Sequence, residues 1–248
     1  MELISVIMPY YNNFEFVEKS VNSVLSQTHK KFELIIVYDD TDFRILKKIK
    51  EIRKKDKRIR ILINRKNIGA GKSRNNGIKI AKGNYIAFID SDDLWNKKKL
   101  ETQIKFMKKN KISFLHTSYI IIDYLGHKKR IIKAKKILKY KDLIKSCDIG
   151  LSSVMLRTSL IKKNLFPELK TKEDYVVWLK LAKKKVDLIG LQKTLTYWRK
   201  LDYSLSSSII QRILDAYRVF TKYEKKNFIE TIFLIIQLSF NAIKKRYI

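Results

Sequence analysis

Short apolar runs alternate with amphipathic segments along the first half of the chain. The run "LISVIMP" (residues 3–9) is continuous and rich in β-branched side chains, which indicates a strand buried on both faces. The next stretch carries Phe14 and Val17 at helical spacing, with Asn12 or Asn13 available as the cap. The pattern therefore begins with a strand followed by a helix.

This alternation continues for three more strand-helix pairs and then loosens. We predict strands over residues 32–38, 59–63 and 84–89, and helices over residues 43–54, 71–81 and 97–109. Strands and helices that alternate at this spacing predict right-handed crossovers and a mainly parallel sheet. Later apolar runs predict antiparallel strands at 114–122, 129–132 and 152–156, and a helix at 171–184. The expected fold class is α/β, with a mixed sheet flanked by helices.

The C-terminal part of the chain is predicted to be helical. We predict two helices there, over residues 209–223 and 228–246. We therefore expect a main domain over 1–206 and a C-terminal helical extension over 207–248. One broad face of the second helix is apolar and comprises Phe228, Ile232, Ile235, Ile236, Phe240 and Ile243. Such a face can make peripheral membrane contact through 228–246, or it can pack on the domain or on a second subunit.

Composition narrows the classes of partner and compartment. The chain has 55 Lys and Arg against 24 Asp and Glu, a net charge of +31 that attracts polyanions. The basic residues are spread along the whole chain and no nucleic-acid-binding signature appears, so we expect no nucleic acid partner. A single cysteine and an N-terminus without a signal-like pattern favour the cytoplasm, and no apolar run approaches the roughly 20 residues that span a bilayer.

Acidic residues follow directly after predicted strands. Asp39 comes after the strand at 32–38, and Asp90 and Asp92 come after the strand at 84–89. Parallel strands end at one edge of the sheet, which is where α/β proteins bind ligands. The cluster "DSDD" is self-repelling unless a divalent cation is present, and Mg²⁺ or Mn²⁺ needs only one or two protein carboxylates beside substrate phosphates. The alternative interpretation is a solvated helix cap.

The glycines of "NIGAGKSRNNG" (residues 67–77) invite a comparison with phosphate-binding loops. Lys66 stands where the NTPase loop needs glycine, and Arg74 stands where the dinucleotide fingerprint needs glycine, so both patterns fail. In the remaining functional interpretation Arg74 and backbone amides at a helix N-terminus bind a diphosphate, and the alternative is an ordinary helix start.

Several motifs in order resemble one known family. The segments "SVIMPYYN", "SVLSQTHKKFELIIVYDD", "NIGAGKSRNNGIKIAKGNYIAFIDSDD" and "FPELKTKEDYVVWLKLAKK" are similar to glycosyltransferase family 2, over about residues 3 to 206. The resemblance implies the GT-A (Rossmann-like) fold and sugar transfer with inversion from a nucleotide diphosphate donor.

The resemblance also implies a donor site. The turn from Pro9 to Tyr11 would contact the base and ribose, Asp39 would accept a hydrogen bond from uracil, and Arg74 would lie near the nucleotide. A tyrosine at position 38, where many members are acidic, weakens the inference for uracil.

The resemblance further implies a catalytic and metal site. Asp90, Ser91 and Asp92 match the Asp-x-Asp motif, with Asp90 near the ribose and Asp92 on a divalent metal (Mn²⁺ or Mg²⁺). Asp174 matches the carboxylate that deprotonates the acceptor hydroxyl, although it can also be a simple helix N-terminal charge. Leu201 stands where many members have a metal-facing histidine.

The expected function is therefore that of a glycosyltransferase in cell-surface polysaccharide synthesis. It would use a nucleotide-sugar donor, expected to be a UDP-sugar, and a saccharide acceptor that is expected to be lipid-linked at the inner face of the cytoplasmic membrane. Two alternatives stay open on the sequence alone: a non-catalytic polyanion- or lipid-binding protein on the same scaffold, and a nucleotidyltransferase.

Overall fold

The protein has one mixed sheet with helices on both faces. The computed structural model describes residues 2–161, 165–201 and 208–247. The first elements are β1 Ile4–Tyr10, α1 Phe14–Leu25, β2 Phe32–Tyr38, α2 Phe43–Lys55, β3 Ile59–Ile63, α3 Ala70–Ile80, β4 Tyr85–Phe88, β5 Leu94–Trp95 and α4 Lys99–Lys109. The later elements are β6 Phe114–Ile122, β7 Lys128–Ile132, β8 Ile137–Leu138, α5 Tyr140–Leu143, β9 Met155–Arg157, α6 Glu173–Lys183, β10 Leu188–Arg199, α7 Ile209–Arg218 and α8 Phe228–Tyr247.

The strand order is β3-β2-β1-β4-β9-β6-β10-β5, with β7 paired to β6 and β8 paired to β10. Strands β3, β2, β1 and β4 are parallel to one another, and β6 is parallel to β10. Strand β9 is antiparallel to both β4 and β6, so β6 and β10 run in the same direction as β4. The prediction of a mixed, mainly parallel α/β sheet is confirmed.

The sheet has an apolar cluster on each face because successive side chains of a strand point to opposite sides. Val6 and Leu34 pack with α1, α2 and α4, whereas Ile7 and Ile35 face the cluster that includes α6. Helix α3 lies close to this second face, where a Cβ atom at Gly77 would come within 2.8 Å of Ile7 Cγ2. Glycine is therefore required for this close approach.

The C-terminal extension packs against the same second face. Helix α7 continues into a π-helical turn, Val219–Tyr223, and α8 follows. Ala216, Phe220, Leu234 and Leu238 belong to the same core cluster as α6. Among the described helices, none combines the length and the apolarity that a bilayer crossing requires.

The structure corrects several details of the sequence prediction. Strand β10 was not predicted, because its polar and glycine-containing sequence is only partly buried and pairs with β6 through register shifts. The segment predicted as a strand at 152–156 is a 3₁₀ turn, Leu151–Ser153, followed by β9. Helix α1 begins after Asn13, but the Asn13 side chain does not cap it.

Candidate active site

The carboxyl ends of the parallel strands meet at one edge of the sheet. Because β1, β2, β4, β6 and β10 run in the same direction, the residues after each strand converge there. This edge carries Tyr11, Asp39, the turn from Asp90 to Asp93, and Arg199 at the end of β10. The structure therefore brings the predicted donor-site residues of three separate motifs to one side of the molecule.

Asp39 is buried and holds the loop between β3 and α3. One carboxylate oxygen accepts hydrogen bonds from Asn64 Nδ2 (2.8 Å) and from the Ile68 amide (2.9 Å), and the other accepts from the Gly69 amide (2.8 Å). Asn64 also donates to Ser73 Oγ (2.9 Å), at the start of α3. The amides of Ile68 and Gly69, just before α3, therefore bind Asp39.

The turn after β1 combines a buried aromatic pair with an exposed ring. Pro9 is buried within β1, and Tyr10 stacks on Tyr38 with ring centroids 5.3 Å apart and planes 7° from parallel. Tyr38, which replaces an acidic residue common in the family, is therefore a core residue. Tyr11 follows at 52% exposure, so its ring is accessible to a ligand at this edge.

Arg74 joins two parts of the site. It is buried on α3, where Nη2 donates to Asp90 Oδ1 (2.7 Å) and Nη1 donates to Glu173 Oε1 (2.5 Å). The guanidinium also lies over the Phe166 ring. One cation thus fixes the end of β4 against the start of α6, and it does so with both of its terminal nitrogens.

The Asp-Ser-Asp turn is held mainly through its backbone. Buried Ser91 accepts a hydrogen bond from Asn13 Nδ2 at Oγ (3.1 Å), and Ser20 Oγ donates to the Ser91 carbonyl (2.9 Å). Burial first, and then the charge of Asp90, raise the pKa of Asp92 to about 7. Two carboxylates in this position repel each other, so positive charge from a ligand would favour their ionised forms.

Arg199 supports the same turn from β10. It is buried, stacks on the Phe16 ring, and donates from Nε to the Asp92 carbonyl (3.0 Å). Its Nη1 donates to the carbonyls of Asp123 (2.8 Å) and Tyr124 (2.7 Å). The guanidinium is thus bound by three backbone carbonyls and fixes the Asp-Ser-Asp turn against the loop after β6.

Asp174 lies in the first turn of α6, next to the Arg74 bridge. Lys172 precedes the helix in the left-handed conformation (φ 64°), and Asp174 Oδ1 accepts from the Tyr175 amide (2.7 Å). Burial and then the charge of Glu173 raise the pKa of Asp174 to about 7, Arg74 lowers it, and Asp90 raises it further. The side chain stays partly accessible. Asp174 is therefore placed to exchange a proton near neutral pH.

The carboxylates at this edge suit a metal cation that takes its remaining ligands from a substrate. Within the described parts of the chain, no group of three or more His, Cys, Asp or Glu side chains could enclose a metal ion. Asp92, beside Asp90, offers the one or two carboxylates that Mg²⁺ and Mn²⁺ use when phosphates supply other ligands. The raised pKa of Asp92 fits such a site, because a bound cation would relieve the repulsion between the two carboxylates.

Sequence reasoning missed several residues of the site. In the sequence, Glu173 is only an acidic residue at a predicted helix start, and nothing there predicts its ion pair with Arg74. No local pattern predicts the hydrogen bonds of Arg199 to backbone carbonyls either. Trp178, one helical turn beyond Asp174, is fully buried against Phe114 and belongs to the core. Leu201 is buried, and the rest of its predicted loop, residues 202–207, lies outside the described residues. The individual roles of Pro9, Tyr11, Asp39, Arg74, Asp90, Ser91, Asp92 and Asp174 stay predictions.

Comparisons with known proteins agree with this geometry. The sequence profile of "Glycosyl transferase family 2" matches residues 5–169. The putative teichuronic acid biosynthesis glycosyltransferase TuaG of Bacillus subtilis (strain 168) is 34% identical over 245 residues, which cover 98% of this chain and 97% of TuaG. The Escherichia coli UDP-Glc:alpha-D-GlcNAc-diphosphoundecaprenol beta-1,3-glucosyltransferase WfgD is 40% identical over 181 residues, which cover 73% of this chain and 70% of WfgD.

A solved structure shows the same fold. The crystal structure of Staphylococcus aureus TarS 1-349 in complex with UDP-GlcNAc superposes with a TM-score of 0.69 at 26% identity, covering 89% of this chain and 67% of that chain. The predicted GT-A fold and the predicted enzyme class are confirmed by these matches. The chain belongs to glycosyltransferase family 2 and is a glycosyltransferase.

Proposed function

We propose that the protein transfers a sugar from a UDP-sugar to a hydroxyl group of a lipid-linked saccharide, with inversion at the anomeric carbon. The reaction would serve the synthesis of a cell-surface polysaccharide at the inner face of the cytoplasmic membrane. The similarity to TuaG, named for teichuronic acid biosynthesis, and to WfgD, named for a diphosphoundecaprenol-linked acceptor, supports the polysaccharide and the lipid-linked acceptor. The TarS complex with UDP-GlcNAc supports the uridine nucleotide.

The observation that carries the proposal is the position and ionisation of Asp174. Its carboxyl group follows directly after Glu173, whose partner Arg74 also binds Asp90 of the Asp-x-Asp turn. Its pKa of about 7 means that the ionised base and the protonated acid are both populated near neutral pH. A general base is most effective when its pKa lies near the working pH.

The chemistry follows from these groups. Asp174 accepts the proton of the acceptor hydroxyl while that oxygen forms its bond to the anomeric carbon. The bond from the anomeric carbon to the diphosphate oxygen breaks, and its electron pair leaves with UDP. Attack opposite the leaving group inverts the anomeric configuration. Arg74 holds Asp90 and Glu173 together, so that the base stays aligned with the donor.

Asp92 would hold a Mg²⁺ or Mn²⁺ ion, which supplies positive charge that stabilises the departing diphosphate. Asp39, Tyr11 and the turn after β1 would bind the nucleotide at the same sheet edge. Since both carboxylate oxygens of Asp39 already contact the 64–69 loop, we assign Asp39 to shaping the uracil pocket as well as to direct contact.

The test is a product assay with the full chain. UDP- and GDP-sugars are combined with a short-chain GlcNAc-diphosphate lipid and Mn²⁺, and nucleotide release and product structure are measured. We expect UDP release that depends on acceptor, and a product whose new linkage is inverted by NMR. Binding of UDP without sugar transfer would favour a non-catalytic protein. Pyrophosphate release in a parallel reaction with UTP and a sugar 1-phosphate would favour a nucleotidyltransferase; either result would contradict the proposal.

A further inference from the structure

Helices α7 and α8 expose apolar surfaces that the rest of the protein does not cover. In α8 the solvent-facing side carries Phe228, Ile229, Phe233, Ile236, Phe240 and Ile243. In α7 it carries Ile209, Ile210, Ile213, Leu214 and Tyr217. Ile229 is 81% exposed and Ile210 is 73% exposed. Single exposed apolar side chains are common on proteins, but a continuous row of them marks an interaction surface. We call these two sets of side chains the extension face.

The extension face is separate from the surface by which the helices pack on the domain. In α8 that packing surface consists of Thr231, Leu234 and Leu238, on the opposite side of the helix. In α7 and the following turn it includes Ala216 and Phe220. Because both packing surfaces join the same core cluster, the two exposed sets point away from it. The fold is therefore complete without the extension face, which is left for a partner.

Charge selects the kind of partner. The exposed basic residues Arg218, Lys222, Lys225 and Lys244 flank the extension face, and the chain as a whole carries +31. Two copies of so basic a chain repel each other, whereas a surface of anionic lipid head groups attracts them. An apolar stripe bordered by Lys and Arg is the pattern of a helix that lies in a bilayer interface.

Through its packing side, helix α7 is linked directly to the segment that leads into α6. Asp215 of α7 is fully buried, and its Oδ2 accepts hydrogen bonds from the Thr171 amide (2.9 Å) and the Thr171 hydroxyl (3.0 Å). Thr171 lies three residues before Asp174 in the sequence, just before α6 begins. Helix α7 thus lies between the extension face and the segment that leads to Asp174, the part of the site that would receive the acceptor.

We propose that the extension face docks on an anionic lipid bilayer and presents the start of α6 to acceptors held in that bilayer. This inference deepens the proposed function and rests on it only for the identity of the acceptor. Both helices lie in the interface with their apolar side chains in the acyl region, and the flanking lysines contact lipid phosphates, whereas Arg218 is paired with Asp215 (3.1 Å).

The experiment measures sedimentation of the full chain with vesicles that contain no donor and no acceptor, so that its outcome is independent of glycosyl transfer. Vesicles of phosphatidylcholine with 30% phosphatidylglycerol, roughly the anionic content that gives strong attraction, are compared with pure phosphatidylcholine. The variants are Ile229→Glu with Phe233→Glu in α8, and Ile210→Glu with Leu214→Glu in α7. The matched control is Phe43→Glu, which is 82% exposed on α2 at the opposite face of the sheet.

We expect the unmodified chain to bind anionic vesicles at least about tenfold more tightly than neutral vesicles. Each double variant should bind on the order of 100-fold more weakly while its thermal unfolding is unchanged, and Phe43→Glu should bind as the unmodified chain does. Unchanged vesicle binding in both double variants would overturn the proposal. A dimer in sedimentation velocity that the α8 variant converts to a monomer would also overturn it, because a second copy would then cover the extension face.

Discussion

Replacing Glu173 by Gln removes one charge beside the proposed base and keeps a hydrogen-bond acceptor for Arg74. The amide oxygen of Gln can still accept from Arg74 Nη1, which now donates to Glu173 Oε1 at 2.5 Å. The charge of Glu173 is the largest electrostatic cause, after burial, of the raised pKa of Asp174. The substitution should therefore lower the pKa of Asp174.

The size of this effect can be worked out. A unit charge about 8 Å away at an effective dielectric constant of about 20 contributes roughly 2 kcal/mol, and solvent screening at the partly exposed Asp174 reduces the effect to about one pKa unit. Asp174 must be ionised to accept a proton, so activity rises with pH through its pKa. With a pKa of about 7, roughly 10% of Asp174 is ionised at pH 6, and with a pKa of about 6 the ionised share is about half.

The assay is turnover against pH from 5 to 9 at saturating donor and acceptor. The acidic limb of the profile should move down by about one unit, which gives a several-fold higher ratio of the rate at pH 6 to the rate at pH 8. Glu168→Gln is the matched control, because Glu168 is an exposed partner of Lys72 and its loss changes net charge equally. An acidic limb at the same pH in Glu173→Gln and unmodified enzyme would refute the assignment of Asp174 as the titrating base.

Three other substitutions test the supports of the site. Arg199→Lys should lower the free energy of unfolding by about 2 to 4 kcal/mol in chemical denaturation and weaken Mn²⁺-dependent UDP binding, because lysine cannot reach three carbonyls at once. Gly77→Ala should cost about 1 to 3 kcal/mol in urea denaturation, since its methyl group would overlap Ile7; a more stable variant would contradict this packing. Asp39→Asn should cost about 1 to 3 kcal/mol and lower UDP affinity in calorimetry, because the amide group faces backbone donors; unchanged values would contradict the loop assignment.

The parallel half of the fold was predictable because its sequence signals are local. Strands β1, β2 and β4 are short, mainly apolar runs buried on both faces, and each is followed by an amphipathic helix or a turn. The positions of Asp39 and Asp90 at the ends of these strands follow from the same pattern. Strand β10 escaped prediction because its burial depends on pairing with β6, which is distant in sequence.

The sequence predicted which residues lie at the site better than it predicted the contacts between them. Arg74 was expected at a nucleotide, yet in the structure it bridges Asp90 and Glu173, which are 16 and 99 positions away from it in the chain. Such pairings depend on where helices dock, and no local pattern contains that information. The apolar side of α8 shows the same limit, because the sequence predicted the face but only the packing of Leu234 and Leu238 shows which side is left exposed.

The most direct test of the account is turnover and donor affinity of Asp174→Asn, measured separately. The amide has nearly the same shape and cannot accept the acceptor proton, so we expect turnover to fall by about 10² to 10⁴-fold while the Kd for the UDP-sugar changes by less than about twofold. Asp187→Asn, an exposed carboxylate just beyond the other end of α6, is the matched control and should keep full activity. Turnover of Asp174→Asn within a few-fold of the unmodified enzyme would contradict the central claim.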